Sequence, residues 1–216
     1  MEEDIREKLE NFFSKYRKVS YGAKEILIRA DCEPEGVFFL TEGVVRMYAV
    51  SASGEEVVIN VFKPVSFFPM GWVLNDDKSH FYFEALNDVK VIKAPKEEFL
   101  RFLKSEPEIV FNLLKRIYKG LEGYFSRMEY LMSGNAQSRL ITEILIFAKR
   151  LGVATKNGVK VNLKMTEKDL AAQTGIARET VSREIHKLKE KGLIEFDNSI
   201  ITVLNIDDLE QELTSI

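Results

Sequence analysis

TEKDLAAQTGIARETVSREIHKLKEK, the stretch from Thr166 to Lys191, decides how the chain is read. It describes two helices around a tight turn. Thr166 followed three residues later by Asp169 is a capping-box-like start, with the acid in the place usually taken by Glu. Leu170 and Ala171 give the first helix a short apolar face. Gly175 supplies the turn, because it enters positive φ without a Cβ clash. In the second helix Val181, Ile185 and Leu188 repeat at helical spacing and form one buried stripe. Arg178, Glu179, Ser182 and Arg183 fall mostly on the other side, near the helix start. A recognition helix presents its base-reading side chains to a major groove from that position. A merely solvated amphipathic helix is the plainer alternative. Two arginines, a glutamate and small hydroxyl residues at the start of the second helix speak against it.

The rest of the chain must accommodate such a unit. Its 216 residues fit one large domain or two modest ones, and 45% hydrophobic with 30% charged residues allow a real core. The formal net charge of −3 argues against a nucleic-acid binder, but its distribution does not. Residues 135–196 carry Lys+Arg 12 against Asp+Glu 7, a local +5, while residues 1–134 carry 19 against 22. That asymmetry suits a regulator whose sensor half never touches phosphate. The single Cys32 excludes an internal disulfide framework and a multi-cysteine metal site. MEEDIREKLE at the N-terminus is acidic and amphipathic rather than a signal peptide, and no apolar run approaches a membrane span. A cytoplasmic protein without membrane contact is expected.

Residues 3–16 read as a short helix carrying Ile5, Leu9, Phe12, Phe13 and Tyr16. From about Ser20 the pattern changes to β-rich runs at 25–29, 37–41, 44–50, 56–62, 81–86 and 89–94. Turn signals separate them at Glu33-Pro34-Glu35-Gly36, Glu42-Gly43, Ser53-Gly54, Lys63-Pro64 and Asn87-Asp88. Short strands at this spacing predict an antiparallel sandwich or roll. Some runs are apolar on both faces, Val57-Val58-Ile59 for example, and either pack within the roll or line a cavity. A short helix is expected over 96–104.

Pro107, suited to a first helical turn, opens a long helix to about Met132. Within it Val110, Leu114, Ile117, Leu121, Tyr124, Met128 and Leu131 recur at alternating spacings of four and three, the pattern of a coiled-coil seam. Charged Lys115, Lys119, Glu122, Arg127 and Glu129 flank it, which favours a partner chain over packing within one domain. A parallel homodimer is expected. Gly120 and Gly123 weaken the helix midway by about 1 kcal/mol each relative to Ala.

Ser133-Gly134-Asn135 breaks this helix. A further helix at 137–151 precedes a hairpin signalled by Asn157-Gly158, between 153–155 and 159–163. After the two-helix unit, 193–196 and 200–204 flank Asp197-Asn198-Ser199 as a second hairpin, the wing of a winged helix. A tail helix at 206–213 follows. The expected division is 1–106, 107–134 and 135–216. The fold class is α+β: a cupin-like antiparallel jelly roll, a long dimerisation helix and a winged helix-turn-helix.

With these residues in hand, the chain resembles the Crp–Fnr family of bacterial transcription regulators along nearly its whole length. Gly175-Ile176-Ala177-Arg178-Glu179-Thr180-Val181-Ser182-Arg183 is similar to the family's recognition-helix signature. Phe39-Leu40-Thr41-Glu42-Gly43-Val44-Val45-Arg46 and Gly54-Glu55 resemble its strand and turn landmarks. The resemblance implies that Arg178 and Arg183 donate to guanine O6/N7 and that Glu179 accepts from cytosine N4. Groove geometry permits both pairings, at about 1–3 kcal/mol of discrimination for a good bidentate pair. Thr166 and Thr180 would contact phosphate, and Ser182 a base or the backbone. The implied target is double-stranded DNA carrying an inverted repeat of TGTGA-like or TTGAT-like half-sites, with RNA polymerase as a further partner. Ala177 departs from the pattern, since family members often place Ser or Thr at that N-cap.

Cyclic-nucleotide binders of the family hold the phosphate with a Gly-Glu turn and a following Arg-Ser/Thr pair. No arginine lies between Arg46 and Arg101 here, and a buried phosphate without a bidentate cation is badly compensated. Cyclic AMP is therefore not the expected effector, and one cysteine is too few for an iron–sulfur cluster. Aromatic residues stand in that stretch instead: Phe62, Phe67, Phe68, Trp72, Phe81, Tyr82 and Phe83. One reading is a pocket for an apolar effector, with Glu84 or the Trp72 indole as polar anchor. The other is an ordinary packed core. Haem ligation would rest on His80, Cys32 or Met70 and is weaker still. No cofactor or metal is expected. No nucleophile elbow, metal cluster or phosphate loop appears, so no catalytic residue is assigned and an enzyme is not expected.

Overall fold

The computed structural model describes residues 3–52 and 54–214. Contacts divide the chain into two compact units. One comprises the chain up to Gly54 together with Val58–Tyr118, and the other Glu55–Val57 together with Lys119 onward.

The first unit opens with α1 (Glu3–Ser14) and continues through eight strands, the fifth of which begins with two residues counted in the second unit. These are β1 (Arg17–Tyr21), β2 (Ile26–Ile28), β3 (Val37–Glu42), β4 (Val45–Val50), β5 (Glu56–Phe62), β6 (Ser66–Phe68), β7 (Tyr82–Ala85) and β8 (Val89–Ala94). Helix α2 (Met70–Asn75) lies between β6 and β7 in sequence, and α3 (Lys96–Ser105) follows β8. The strands form two antiparallel sheets, ordered β1-β8-β3-β6 and β2-β7-β4-β5. The first sheet has two apolar faces. Val37, Phe39, Phe67, Ile92 and Ala94 pack with Leu9, Phe13, Phe99 and Trp72 of the helices. Phe38, Leu40, Phe68, Val89 and Val91 pack with Ile28, Val45, Phe83 and Ala85. Side chains alternate along a strand, so a strand covered on both sides reads as a continuous apolar run. Gly43 allows one tight connection: its φ is +87°, and a Cβ there would lie 2.3 Å from the Asp88 carbonyl oxygen.

The six expected strands all form, within a residue or two of their expected ends. β1, β6 and α2 were not expected. β1 is largely exposed and lacks clean alternation, while β6 is three residues long. Of the Ser53-Gly54 turn, Ser53 lies outside the described residues, and Gly54 has φ +78°.

Helix α4 spans Pro107–Ser133, and the two units divide within it, between Tyr118 and Lys119. The second unit continues with α5 (Ala136–Leu151), β9 (Gly152–Thr155), β10 (Gly158–Val161), α6 (Glu167–Thr174), α7 (Arg178–Glu190), β11 (Ile194–Asp197), β12 (Ile200–Val203) and α8 (Ile206–Thr214). Its strands make one antiparallel sheet, β11-β12-β10-β9. The first hairpin turns one residue earlier than Asn157-Gly158 suggests: Lys156 and Asn157 form the loop, and Gly158 pairs with Thr155. Gly158 answers to a close approach, since a Cβ there would sit 2.2 Å from the Val203 carbonyl oxygen.

Candidate nucleic-acid interface

The start of α6 is held by a reciprocal capping box. The Asp169 N–H donates to Thr166 Oγ1 at 3.2 Å, while the Thr166 N–H and hydroxyl donate to Asp169 Oδ2 at 2.7 and 2.8 Å. Thr166 thus already uses its hydroxyl proton within the helix. Gly175 ends α6 at φ +65°, with its N–H bonded to the Ala171 carbonyl. Helix α7 then starts at Arg178 with Ala177 as N-cap, which gives no side-chain hydrogen bond.

Val181, Ile185 and Leu188 are buried, as are Leu170 and Gln173 of α6. Arg178, Glu179 and Arg183 are exposed, and Thr180 and Ser182 are half-buried. Both arginines have partners within the chain. Arg183 Nη2 donates to Thr180 Oγ1 at 3.1 Å, and Arg178 Nε lies 3.5 Å from Glu167 Oε2. A guanidinium restrained in this way loses less freedom on meeting a base edge. Glu167 was not singled out from the sequence; its place at the first turn of α6, ahead of the Gly175 turn, was the available signal.

The positive excess is confined to part of this region. The +5 belongs to residues 135–196 alone, and over 135–216 the count evens to 12 Lys+Arg against 12 Asp+Glu. Asp197 and the four acids of tail helix α8 supply the difference; of these, Glu210 pairs with Lys149, and Glu212 accepts from Lys191 and from Gln137. The basic character of this unit is therefore local, not global.

In α4, Leu114, Ile117, Leu121, Met128 and Val110 are exposed, while Tyr124 and Leu131 are half-buried. The Tyr124 ring lies 5.6 Å from the Arg150 guanidinium of α5, so that edge of the stripe already has a neighbour in its own chain. The apolar face is also wider than the seam read from the sequence. Phe111, Tyr118, Phe125 and Met132, seven residues apart, are 59%, 65%, 61% and 80% exposed.

Behind α4 lies a buried polar junction that the sequence did not announce. Arg127 Nη2 donates to Glu143 Oε1 of α5 and, at 3.0 Å, to Gln173 Oε1 of α6. Burial pushes the Glu143 carboxyl above the ordinary carboxylate range, against the pull of Arg127 and Arg150.

The aromatic set of the roll does not form one group. Phe68 and Phe83 stack with centroids 5.1 Å apart, and Phe62 packs 4.9 Å from Phe68, with Phe81 partly buried nearby. Phe67 and Trp72 lie on the opposite face of their sheet, among the helices, where Lys96 sits 4.7 Å over the Trp72 ring. Glu84 belongs to neither cluster. It accepts from Arg46 Nε at 3.1 Å and Nη2 at 2.9 Å, a bidentate cross-strand pair between β4 and β7. Tyr82 stacks on Tyr48 beside it in the register of the same two strands. Among the described residues no three His, Cys, Asp or Glu side chains cluster as metal ligands would, and no helix is long and apolar enough to cross a membrane.

A β-roll followed in the chain by a winged helix-turn-helix, with arginines exposed at the start of its second helix, defines a DNA-binding transcription regulator. Comparison with known proteins narrows that class. Residues 18–106 match the cyclic nucleotide-binding domain, and residues 138–212 match the Crp-like helix-turn-helix domain. The chain is 29% identical over 182 residues to the global nitrogen regulator of Nostoc sp., covering 83% of this chain and 82% of that protein. It is 28% identical over 170 residues to the transcriptional regulator SdrP of Thermus thermophilus, covering 79% and 80%. Among solved structures, a CRP/FNR-family transcriptional regulator of Thermus thermophilus superposes with TM-score 0.72 at 25% identity, covering 93% of this chain and 99% of that one. The fold also matches a CooA mutant from Carboxydothermus hydrogenoformans, with TM-score 0.73 at 19% identity over 94% and 90%. This chain belongs to the Crp–Fnr family of transcription regulators, which are not enzymes.

Proposed function

We propose that the protein binds an inverted-repeat DNA site as a homodimer joined through α4 and presents one α7 to each half-site. The observation that carries this reading is the division of α7 into two faces. Val181, Ile185 and Leu188 hold it in the core while Arg178, Glu179 and Arg183 stay exposed. In this reading Arg178 and Arg183 address guanine, Glu179 addresses cytosine, and Ser182 reaches a base or the backbone. Thr180 donates its own hydroxyl proton to phosphate while accepting from Arg183. Thr166 contacts phosphate only by giving up its bond to Asp169. The exposed face of α4 supports the dimer, because an apolar helical stripe of that length is stable in water only when covered. RNA polymerase is the partner through which promoter occupancy would be read.

The roll acts in this proposal as the controlling domain, with an effector other than a cyclic nucleotide. The bidentate Arg46–Glu84 pair marks the polar spot beside an apolar interior. A second reading, a regulator with no effector, is favoured by the mutual stacking of Phe62, Phe68 and Phe83, which lets the interior pack on itself. Trp72 fluorescence titrated with apolar candidates separates the two. An emission change that tracks DNA affinity supports the effector, and a flat response supports the second reading.

The test of the main proposal is DNA-binding anisotropy at several salt concentrations, with a symmetric duplex and a scrambled one. Affinity for both falls as salt rises, while preference for the symmetric duplex persists. Equal affinity for the two duplexes at every salt concentration overturns it.

A further inference from the structure

We propose that Arg127 is a positioning residue for DNA recognition: its guanidinium fixes the angle at which the helix-turn-helix is carried on α4. The inference rests on the symmetric reading above and adds the part that sets the distance between the two reading helices.

Three helices meet at this side chain. Arg127 extends from α4, Glu143 from α5 and Gln173 from α6, and Arg127 donates to both of the others. The junction is buried: the Glu143 side chain is 2% exposed, that of Arg127 14%, and Gln173 as a residue 6%. A buried carboxylate requires a cation, and Glu143 has this one at hydrogen-bond distance. The planar fork of an arginine fixes direction as well as distance, which an ammonium does not.

The position of the junction in the chain gives it its role. Between α4 and α5 the backbone breaks at Gly134-Asn135, where Asn135 Oδ1 caps α5 by accepting from the Ser138 N–H at 2.9 Å. A cap fixes the start of a helix but not its angle to the one before. Arg127 spans that break and reaches past α5 to Gln173, two residues ahead of the Gly175 turn that aims α7. Met128, next in sequence to Arg127, lies on the exposed apolar face of α4. Pairing of two α4 helices and aiming of two α7 helices thus meet at neighbouring residues. A dimer held in this way has one preferred separation of its reading helices, and DNA with altered half-site spacing is refused.

The experiment measures affinity for a series of inverted repeats whose half-sites are moved apart by single base pairs. Removing Arg127 alone strands a buried charge, so the informative variant is the double replacement Arg127→Met with Glu143→Met in the full chain. Arg127→Lys, which keeps the charge and loses the fork, is measured beside it. The wild-type protein is expected to lose at least about tenfold in affinity away from its best spacing. The double variant, still dimeric, is expected to bind all spacings within about threefold while keeping its base preference inside the half-site, with Arg127→Lys in between. A merely structural role lowers thermal stability and leaves the spacing profile alone. Folded, dimeric variants with the wild-type profile overturn the inference. A wild-type protein indifferent to spacing overturns the symmetric reading itself, and this inference with it.

Discussion

Two regions of this molecule are rich in aromatic and aliphatic side chains, and they treat them in opposite ways. In the roll, Phe38, Phe68 and Phe83 are almost wholly buried and stack on one another. In α4, Phe111, Tyr118, Phe125 and Met132 stand in water beside Leu114 and Met128. Each buried side chain of this size contributes about 1.5–3 kcal/mol relative to an exposed one. The roll has collected that stabilisation within one chain, and α4 has not. The roll thus packs its aromatic residues within one chain, and the α4 face stays uncovered until, in the proposed dimer, a second copy of the chain meets it.

The largest effect is expected in the roll. Phe83→Ala removes a ring from the middle of a stack and should cost about 3–5 kcal/mol of stability, read by denaturant unfolding. A cost below about 1 kcal/mol would mean that the interior is loosely filled and open to a ligand. On the α4 side, Leu121→Asp sets two like charges against each other if the face is a dimer seam. Dimerisation and binding to a symmetric site should then weaken by about a hundredfold or more, measured by sedimentation and anisotropy. An unchanged sedimentation profile would assign the face to another partner. Arg183→Ala leaves both cores untouched and should relax preference at one G·C pair by about 1–3 kcal/mol in a binding-site selection. The smallest effect sharpens the contrast. Nothing lies within 4 Å of a Cβ built on Gly120, so Gly120→Ala should stabilise α4 by about 1 kcal/mol in thermal unfolding. A loss at that position would show that the glycine is there for a partner's close approach.

How much of this was legible in the sequence follows from the range of the interactions. The α6–α7 unit was readable because its capping box, its glycine and its buried stripe all act within a few residues. The exposed apolar stripe of α4 was readable by period. The neighbouring series of Phe111, Tyr118, Phe125 and Met132 repeats every seven residues as well, and charged side chains between its members hide it in the sequence. In the roll, Phe67 and Phe68 are neighbours in sequence and belong to different cores, because their sheet is covered on both faces. Alternation cannot distinguish two apolar sides, so a single aromatic pocket was an expectation that the geometry divides. The Arg127 junction was beyond reach: its partners lie 16 and 46 residues away, and no local pattern links them.

The central claim is that two copies of this chain, joined along α4, read one symmetric duplex. Native mass spectrometry of the full-length protein with a duplex carrying a single inverted repeat measures this directly. The account predicts a complex of two chains per duplex that is lost when one half-site is scrambled. A complex of one chain per duplex, or an equal yield on the scrambled duplex, would contradict it.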